Sequence, residues 1–301
     1  MIFVHDYLAP RSVTRRAVMG RQRVMKQLRG ATAFALLLAA AIPAVADTRL
    51  EGRYAISIAG LTIGTAAIVL DVRPDGYVAA GSAKLSGVMR AIATGHGTAA
   101  VRGSIIGGRL VPQSYSMTAE SQKKTDEVRM AMANGVVRNF SAVPPLEPEP
   151  DRVPLTEAHR KGVLDPLSAA LFIVPGTGDL LSPEVCNRTL PIFDGRYRYE
   201  VELTFVRIDK VSGAKGYAGP AVLCTATYRP IAGHRTSRLP TRYALGNDQI
   251  RLWLAPIAGT RALLPYRITF GTVVGNVVLQ ATAFNTEEKD RAAATPSPRS
   301  Q

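Results

Sequence analysis

Hydrophobic and polar residues alternate along much of this chain at a period of two. Tyr197, Tyr199, Val201, Leu203 and Phe205 are interleaved with Arg196, Arg198, Glu200, Glu202 and Thr204, the pattern of a strand with one buried and one wet face. The same spacing recurs at Tyr54, Ile56 and Ile58, at Val128, Met130 and Met132, at Ile250, Leu252 and Leu254, and at Tyr266, Ile268 and Phe270. Turn sequences punctuate these runs: Pro74-Asp75-Gly76, Gly107-Gly108, Asn134-Gly135, Asp194-Gly195 and Gly246-Asn247-Asp248. Asn134-Gly135 and Gly246-Asn247-Asp248 are the best hairpin candidates, because Asn-Gly and Gly-Asn pairs accept the positive φ that tight hairpin turns require. Counting the runs gives about a dozen strands, and an antiparallel sheet of that size must curl as its twist accumulates. The expected fold class is all-β: a large curled antiparallel sheet, barrel-like or a β-spiral, with one short α-helix. Gly64, Gly81, Gly97 and Gly271 fall inside strand patterns and are expected at bends or bulges of the curl.

The helix is expected over Asp165–Ile173. Asp165 supplies an N-cap carboxylate, Pro166 occupies the first helical position, and Pro175-Gly176 ends the segment. Leu167, Ala170, Leu171 and Val174 would share one face and cover the sheet or plug one end of a barrel. Before it, Val143 to Pro154 contains five prolines among acidic and basic residues. That composition reads as an extended surface segment, either a boundary between two domains or, as preferred here, an excursion within a single β-rich domain spanning 47–285. Residues 286–301 are rich in Glu, Ala, Pro and Ser and are expected to form a disordered tail.

Residues 1–46 read as an export signal with an extended n-region. Lys26 and Arg29 precede an uncharged run from Ala31 to Ile42, and Ala44-Val45-Ala46 is a small-x-small cleavage site that makes Asp47 the mature N-terminus. The run is well short of the roughly 20 apolar residues of a membrane-spanning helix, so the mature chain is expected to be periplasmic and not an integral membrane protein. Removing residues 1–46 takes away seven basic residues and one acidic one and lowers the formal net charge from +14 to +8. A moderate positive excess suits anionic lipid headgroups or polyanionic glycans. Scattered arginines and the lack of a recognition motif argue against a nucleic-acid partner. Export also bears on Cys186 and Cys224, an even pair bound for an oxidising compartment. A disulfide is favoured over two buried thiols, and without C-x-x-C spacing a redox-active pair is not expected.

Catalytic constellations are sparse. The sequence holds no G-x-S-x-G, P-loop, H-E-x-x-H or complete G-x-G-x-x-G motif, and His96, His159 and His234 are too dispersed to suggest a metal site. Glu200 and Glu202 point to one sheet face, as acid–base pairs can, but Arg196 and Arg198 share that face and make a solvated charge ladder the simpler reading. Trp253 alternates with Leu252 and Leu254 and points away from them together with Arg251, so the two residues could line a ligand groove, although a sheet covered on both faces is the simpler explanation. No cofactor is expected.

Several segments in order resemble a known family. They are Tyr54 with Gly60-Leu61-Thr62-Ile63-Gly64, then Pro112 and Tyr115, then Gly162-Val163-Leu164-Asp165-Pro166-Leu167-Ser168-Ala169. Phe193-Asp194-Gly195-Arg196-Tyr197-Arg198-Tyr199 and Cys224 with Tyr228-Arg229-Pro230-Ile231-Ala232-Gly233 continue the match. Together they resemble the domain-of-unknown-function 3108 family of exported proteobacterial envelope proteins. The resemblance implies a β-rich exported domain and supplies no catalytic residues to carry over. The expected function is a non-catalytic periplasmic protein that supports the cell envelope by binding a partner or an amphipathic envelope molecule. Two alternatives are a lipid or glycolipid carrier with an apolar cavity inside the curled sheet, and an enzyme acting on envelope glycan or lipid through Glu200 with Glu202 or through His96 with a carboxylate.

Overall fold

A computed structural model describes residues 47–85, 95–122, 124–245 and 250–289, all within one compact unit. Residues 1–46, read above as an export signal ending at Ala46, the turn Gly246-Asn247-Asp248 and residues 290–301 lie outside the described residues; Asp47 opens the first strand.

The first half of the chain is a run of hairpins: β1 (Asp47–Ile58), β2 (Leu61–Val72), β3 (Gly76–Leu85), β4 (Gly95–Ile106), β5 (Arg109–Ser121), β6 (Thr125–Ala133) and β7 (Val136–Val143). The second half adds β8 (Phe172–Ile173), β9 (Arg188–Phe193), β10 (Arg198–Ala214), β11 (Tyr217–Ala232), β12 (Ile250–Pro256), β13 (Ala262–Thr272) and β14 (Gly275–Lys289). All pair antiparallel in one sheet, ordered β7-β6-β5-β4-β3-β2-β1-β14-β13-β12-β11-β10-β9, with β8 beside β13. The all-β reading is therefore correct. Asn134 and Gly135 both take positive φ, 52° and 72°, the twist-matched hairpin geometry that their sequence called for.

The ladder does not close between β7 and β9, yet these edges approach one another. Gly195, in the turn before β10, sits so close to β6 that a Cβ there would lie 2.3 Å from Val128 Cγ1. Phe140 and Phe193 pack edge to face with ring centroids 5.9 Å apart, and Arg196 meets Asp126 at 3.2 Å. Residues 161–164 span the gap. Lys161 bridges to Val136 and Leu164 to Ile192, while Val163 N–H donates to the Gly135 carbonyl at 3.0 Å. These contacts use backbone groups that an open sheet edge would leave unpaired.

The connection between β7 and β9 departs from its sequence expectation in one respect. The helix, α1, covers only Pro166–Ala169, capped as expected by Asp165. The residues after it are Leu171-Phe172-Ile173-Val174, and this bulky, partly β-branched run favours extended backbone. It forms β8, pairing Phe172 with Leu263 and Ile173 with Ala262. Val163, Leu171 and Ile173 join the main core cluster with Leu50, Tyr115 and Tyr266. Phe172 and Val174 join a second cluster with Cys186, Leu203, Cys224 and Leu254. The segment thus lies between two packed layers as an internal strap.

Three further expectations are corrected. A second short helix, α2 (Leu239–Leu245), follows β11; Pro240 stands in its first turn, where a missing N–H leaves no bond unmade, so the turn candidate Gly246-Asn247-Asp248 follows a helix and not a strand. Residues 286–289 are the end of β14 rather than a tail, since Thr286 pairs with Leu50 and Lys289 with Asp47. Gly81 and Gly97 sit in unbroken register and mark no bulge; Gly64 alone of the four adjoins a register shift, at Ile56/Ser57.

Candidate functional site

The core-facing positions of β2 to β5 change size along the strands. Toward the turns at 73–75 and 107–108 they are Leu70, Val72, Tyr77, Val101 and Tyr115, all buried. Toward the other end most are small, Ala66, Gly81, Ala83, Gly97, Ala99 and Ala119, with Ile68 and Met117 as the larger exceptions. Strands spaced about 4.8 Å apart cannot close over missing side chains, so the small residues leave a hollow. It is a cavity of about 330 Å³. Ile268, Leu264 and Leu279 form the facing wall, and Leu167 and Ala170 of the strap form its floor. Tyr54 also lines it, but its hydroxyl donates to the Pro265 carbonyl at 2.9 Å, so the wall presents carbon almost throughout.

A buried polar network fixes the floor. Asp165 accepts from the backbone N–H groups of Leu167 and Ser168, both at 3.0 Å, and Ser168 Oγ donates to Asp165 Oδ2 at 2.5 Å. Ser168 Oγ is also 2.6 Å from the Tyr77 hydroxyl on β3. Asp165 and Ser168 are both 0 % exposed. Burial raises the Asp165 carboxyl above the ordinary aspartate value against the pull of its hydrogen bonds, and it does the same to Asp194 in the turn before β10. The Tyr77, Tyr115 and Tyr199 phenols are likewise pushed up by desolvation. They remain protonated donors throughout the physiological range, which suits anchoring rather than proton transfer.

A second, larger space of about 690 Å³ takes in the Phe270 end of β13. Ile268 lines the apolar cavity and Phe270 lines the second space. Two residues apart on β13, they share one face, about 7 Å from each other along the strand. Here the lining is basic and aromatic: Lys124, Arg152, Arg235 and Arg238 with Tyr228 and Phe270. The basic groups are braced from behind. Arg235 meets Glu149 at 2.6 Å and Asp151 at 2.8 Å, Lys124 meets Asp126 at 2.7 Å, and Arg152 donates to the carbonyls of Glu147 at 2.8 Å and Gly233 at 2.6 Å. Asp151 also accepts from Ser237, which together with Arg235 holds its carboxyl down at about 2. The proline-rich stretch is thereby pinned to the chain after β11, with Val153 N–H donating to the His234 carbonyl at 3.0 Å.

The residues singled out in the sequence are placed elsewhere. Cys186 and Cys224 are joined in a disulfide with Cα atoms 5.7 Å apart, inside the second core cluster. Trp253 packs on the main cluster, donates to Asp209 Oδ2 at 2.9 Å and lies under Arg267, whereas Leu252 and Leu254 face the second cluster. β12 is covered on both faces, and Arg251 is exposed beside Trp253; neither residue lines the two cavities above. Glu200 pairs with Arg198 at 2.8 Å and Glu202 with Arg229 at 2.6 Å, a charge ladder. His96 meets Glu120 at 3.4 Å across β4 and β5, with its side chain 60 % exposed. Among the described residues no three His, Cys, Asp or Glu side chains converge as metal ligands, and no helix is long and apolar enough to cross a membrane. The sequence raised an apolar cavity only as an alternative, without identifying the residues that line it, and it missed the basic space. The signal for the first was Ala and Gly recurring at period two in successive strands, which reads as bending until the register is known.

Fold and cavities together define a class: a curled antiparallel sheet with an internal strap and a hollow beside it. The chain belongs to the family described as "Protein of unknown function (DUF3108)", whose model matches residues 53–282. Among solved structures it is similar to a β-barrel-like protein of domain of unknown function DUF1849 from Brucella abortus, at 9% identity and a TM-score of 0.43, covering 81% of this chain and 98% of that one. A DUF1329 family protein from Desulfovibrio piger gives 7% identity and a TM-score of 0.21, over 83% and 88% of the two chains. No curated protein matches the chain at a significant level.

Proposed function

We propose that this chain is a non-catalytic, exported protein of the cell envelope that binds an amphipathic envelope molecule by its hydrocarbon chain. The observation that carries the reading is the apolar cavity of about 330 Å³ between the Ala- and Gly-lined strands and the strap. It opens to solvent past the exposed residues Ala67, Ser82, Ala83 and Thr98, so its carbon-lined wall meets water unless an apolar guest covers it. Its volume lies at the lower end of the range for small-molecule sites, roughly 300–1,000 Å³. It has room for about ten groups of water or methylene size. Burying that many methylenes contributes about 8 kcal/mol, to be set against an association cost of about 4–15 kcal/mol. A bare alkyl chain is therefore expected to bind weakly. The disulfide fits a protein working outside the cytosol. Acid–base chemistry has little support, because the His96–Glu120 pair is exposed and Glu200 and Glu202 are each engaged by an arginine.

The test is chemical. Chain purified from a membrane-containing lysate is exchanged into buffer, extracted with organic solvent, and the extract is analysed by mass spectrometry. A stoichiometric acyl-bearing species supports the reading, while protein that stays lipid-free even after incubation with total envelope lipid contradicts it.

A further inference from the structure

The basic and aromatic space beside the apolar cavity has no role in holding a hydrocarbon chain. Its lining brings Lys124 from the β5–β6 turn, Arg152 from the proline-rich stretch, and Arg235 and Arg238 from the chain after β11 to one concave surface, with no carboxylate lining it among the described residues. Glu149, Asp151 and Asp126 hold two of these cations in place, and Arg152 is held by carbonyls instead. The ligand is met by side chains fixed beforehand, which lowers the ordering cost of binding. Arg238 is exposed and forms no ion pair with an acidic side chain among the described residues. Tyr228 and Phe270 line the same space and offer flat apolar faces to a glycerol or sugar ring.

We propose that this cleft binds the phosphate-bearing headgroup of the same amphipathic molecule whose chain fills the apolar cavity. The inference rests on the chain-binding reading and adds the class of ligand. Cations arriving from three separate segments match a phosphate group, with several acceptor oxygens pointing in different directions, better than they match a single planar carboxylate. The spacing along β13 gives the register: Ile268 lines the apolar cavity and Phe270, two residues on, lines the cleft, so a chain laid against Ile268 and running toward Phe270 brings its polar end to the basic residues. The cleft is also about twice the volume of the apolar cavity, so the headgroup accommodated is bulky.

The experiment titrates the purified chain with three probes by calorimetry: lysophosphatidylglycerol, an alkyl maltoside of matched chain length, and glycerol 3-phosphate. The expected result is at least tenfold tighter binding of the lysophospholipid than of the maltoside, a preference that shrinks as salt is raised. Combined Lys124→Glu and Arg238→Glu substitution should weaken the lysophospholipid at least tenfold and leave the maltoside within twofold, which also shows that the variant is folded. Equal affinity of wild type for the two chain-bearing probes, or a preference untouched by the substitutions, overturns the headgroup assignment while chain binding stands. Glycerol 3-phosphate binding as tightly as the lysophospholipid overturns it too, in favour of a site for free phosphate esters. If neither chain-bearing probe binds, the chain-binding reading itself fails.

Discussion

The hydroxyls of Tyr77 and Ser168 lie 2.6 Å apart, joining the core-facing side of β3 to the short helix of the internal strap. Both residues are buried, so neither hydroxyl is replaced by bulk water when the other is removed. Tyr77→Phe is expected to destabilise the fold by about 1–2 kcal/mol, measured as a shift of the urea midpoint at pH 7. An unchanged midpoint would mean that the strap is held by apolar packing alone.

Asp165 is the centre of that network, and its protonation carries a sign. Burial raises its carboxyl, so above the ordinary aspartate value the folded protein holds more proton than the unfolded chain. Its contribution is most favourable at low pH and declines as pH rises through the folded value. Asp165→Ala, which strips a cap and leaves buried donors unpaired, is expected to cost about 2–4 kcal/mol. Asp165→Asn should cost less and compare better with wild type at pH 7 than at pH 4.5. Denaturant unfolding of both proteins at the two pH values checks this; an Asn variant that compares worse at pH 7 would reverse the sign.

Gly195 tests the approach of the sheet's two edges. Its φ is +95° and a Cβ would lie 2.3 Å from Val128 Cγ1 on β6. Gly195→Ala combines backbone strain with overpacking and is expected to cost about 2–4 kcal/mol. Gly60, at φ +83° in the β1–β2 turn, has open space around its Cβ position, and Gly60→Ala should show only the strain, about 1–2 kcal/mol. Similar losses at the two sites in thermal unfolding would argue that the β6 contact is absent in solution.

The Cys186–Cys224 bridge closes a loop of 38 residues. In the chain-entropy model such a loop is worth roughly 4 kcal/mol. The Cys186→Ser, Cys224→Ser double variant should lose stability of that order in urea, and a reductant should shift the wild-type midpoint the same way while leaving the variant unmoved.

The strands were legible because one face of each meets core and the other meets water: Val128, Met130 and Met132 are all buried, as their alternation implies. The cysteine pairing was legible from the even count together with the expectation of export. The length of the helix was not, because Leu171 to Val174 satisfy an amphipathic helix and a buried strand equally well until Ala262 and Leu263 supply a partner. Nor was the site. Ala66, Gly81, Gly97 and Ala99 come together only through the register of β2, β3 and β4. The cations of the neighbouring cleft come from segments whose meeting depends on Asp151 reaching Arg235 and Ser237.

The most direct measurement is saturable binding of a fluorescent fatty acid to the wild-type chain and to Ala99→Phe, whose larger side chain would project into the apolar cavity. The expected result is one site per chain in wild type and at least a tenfold loss of affinity in the variant, with the variant's urea midpoint close to that of wild type. Absence of saturable binding, or binding that Ala99→Phe leaves intact, would contradict a hydrocarbon guest in the hollow between strands and strap.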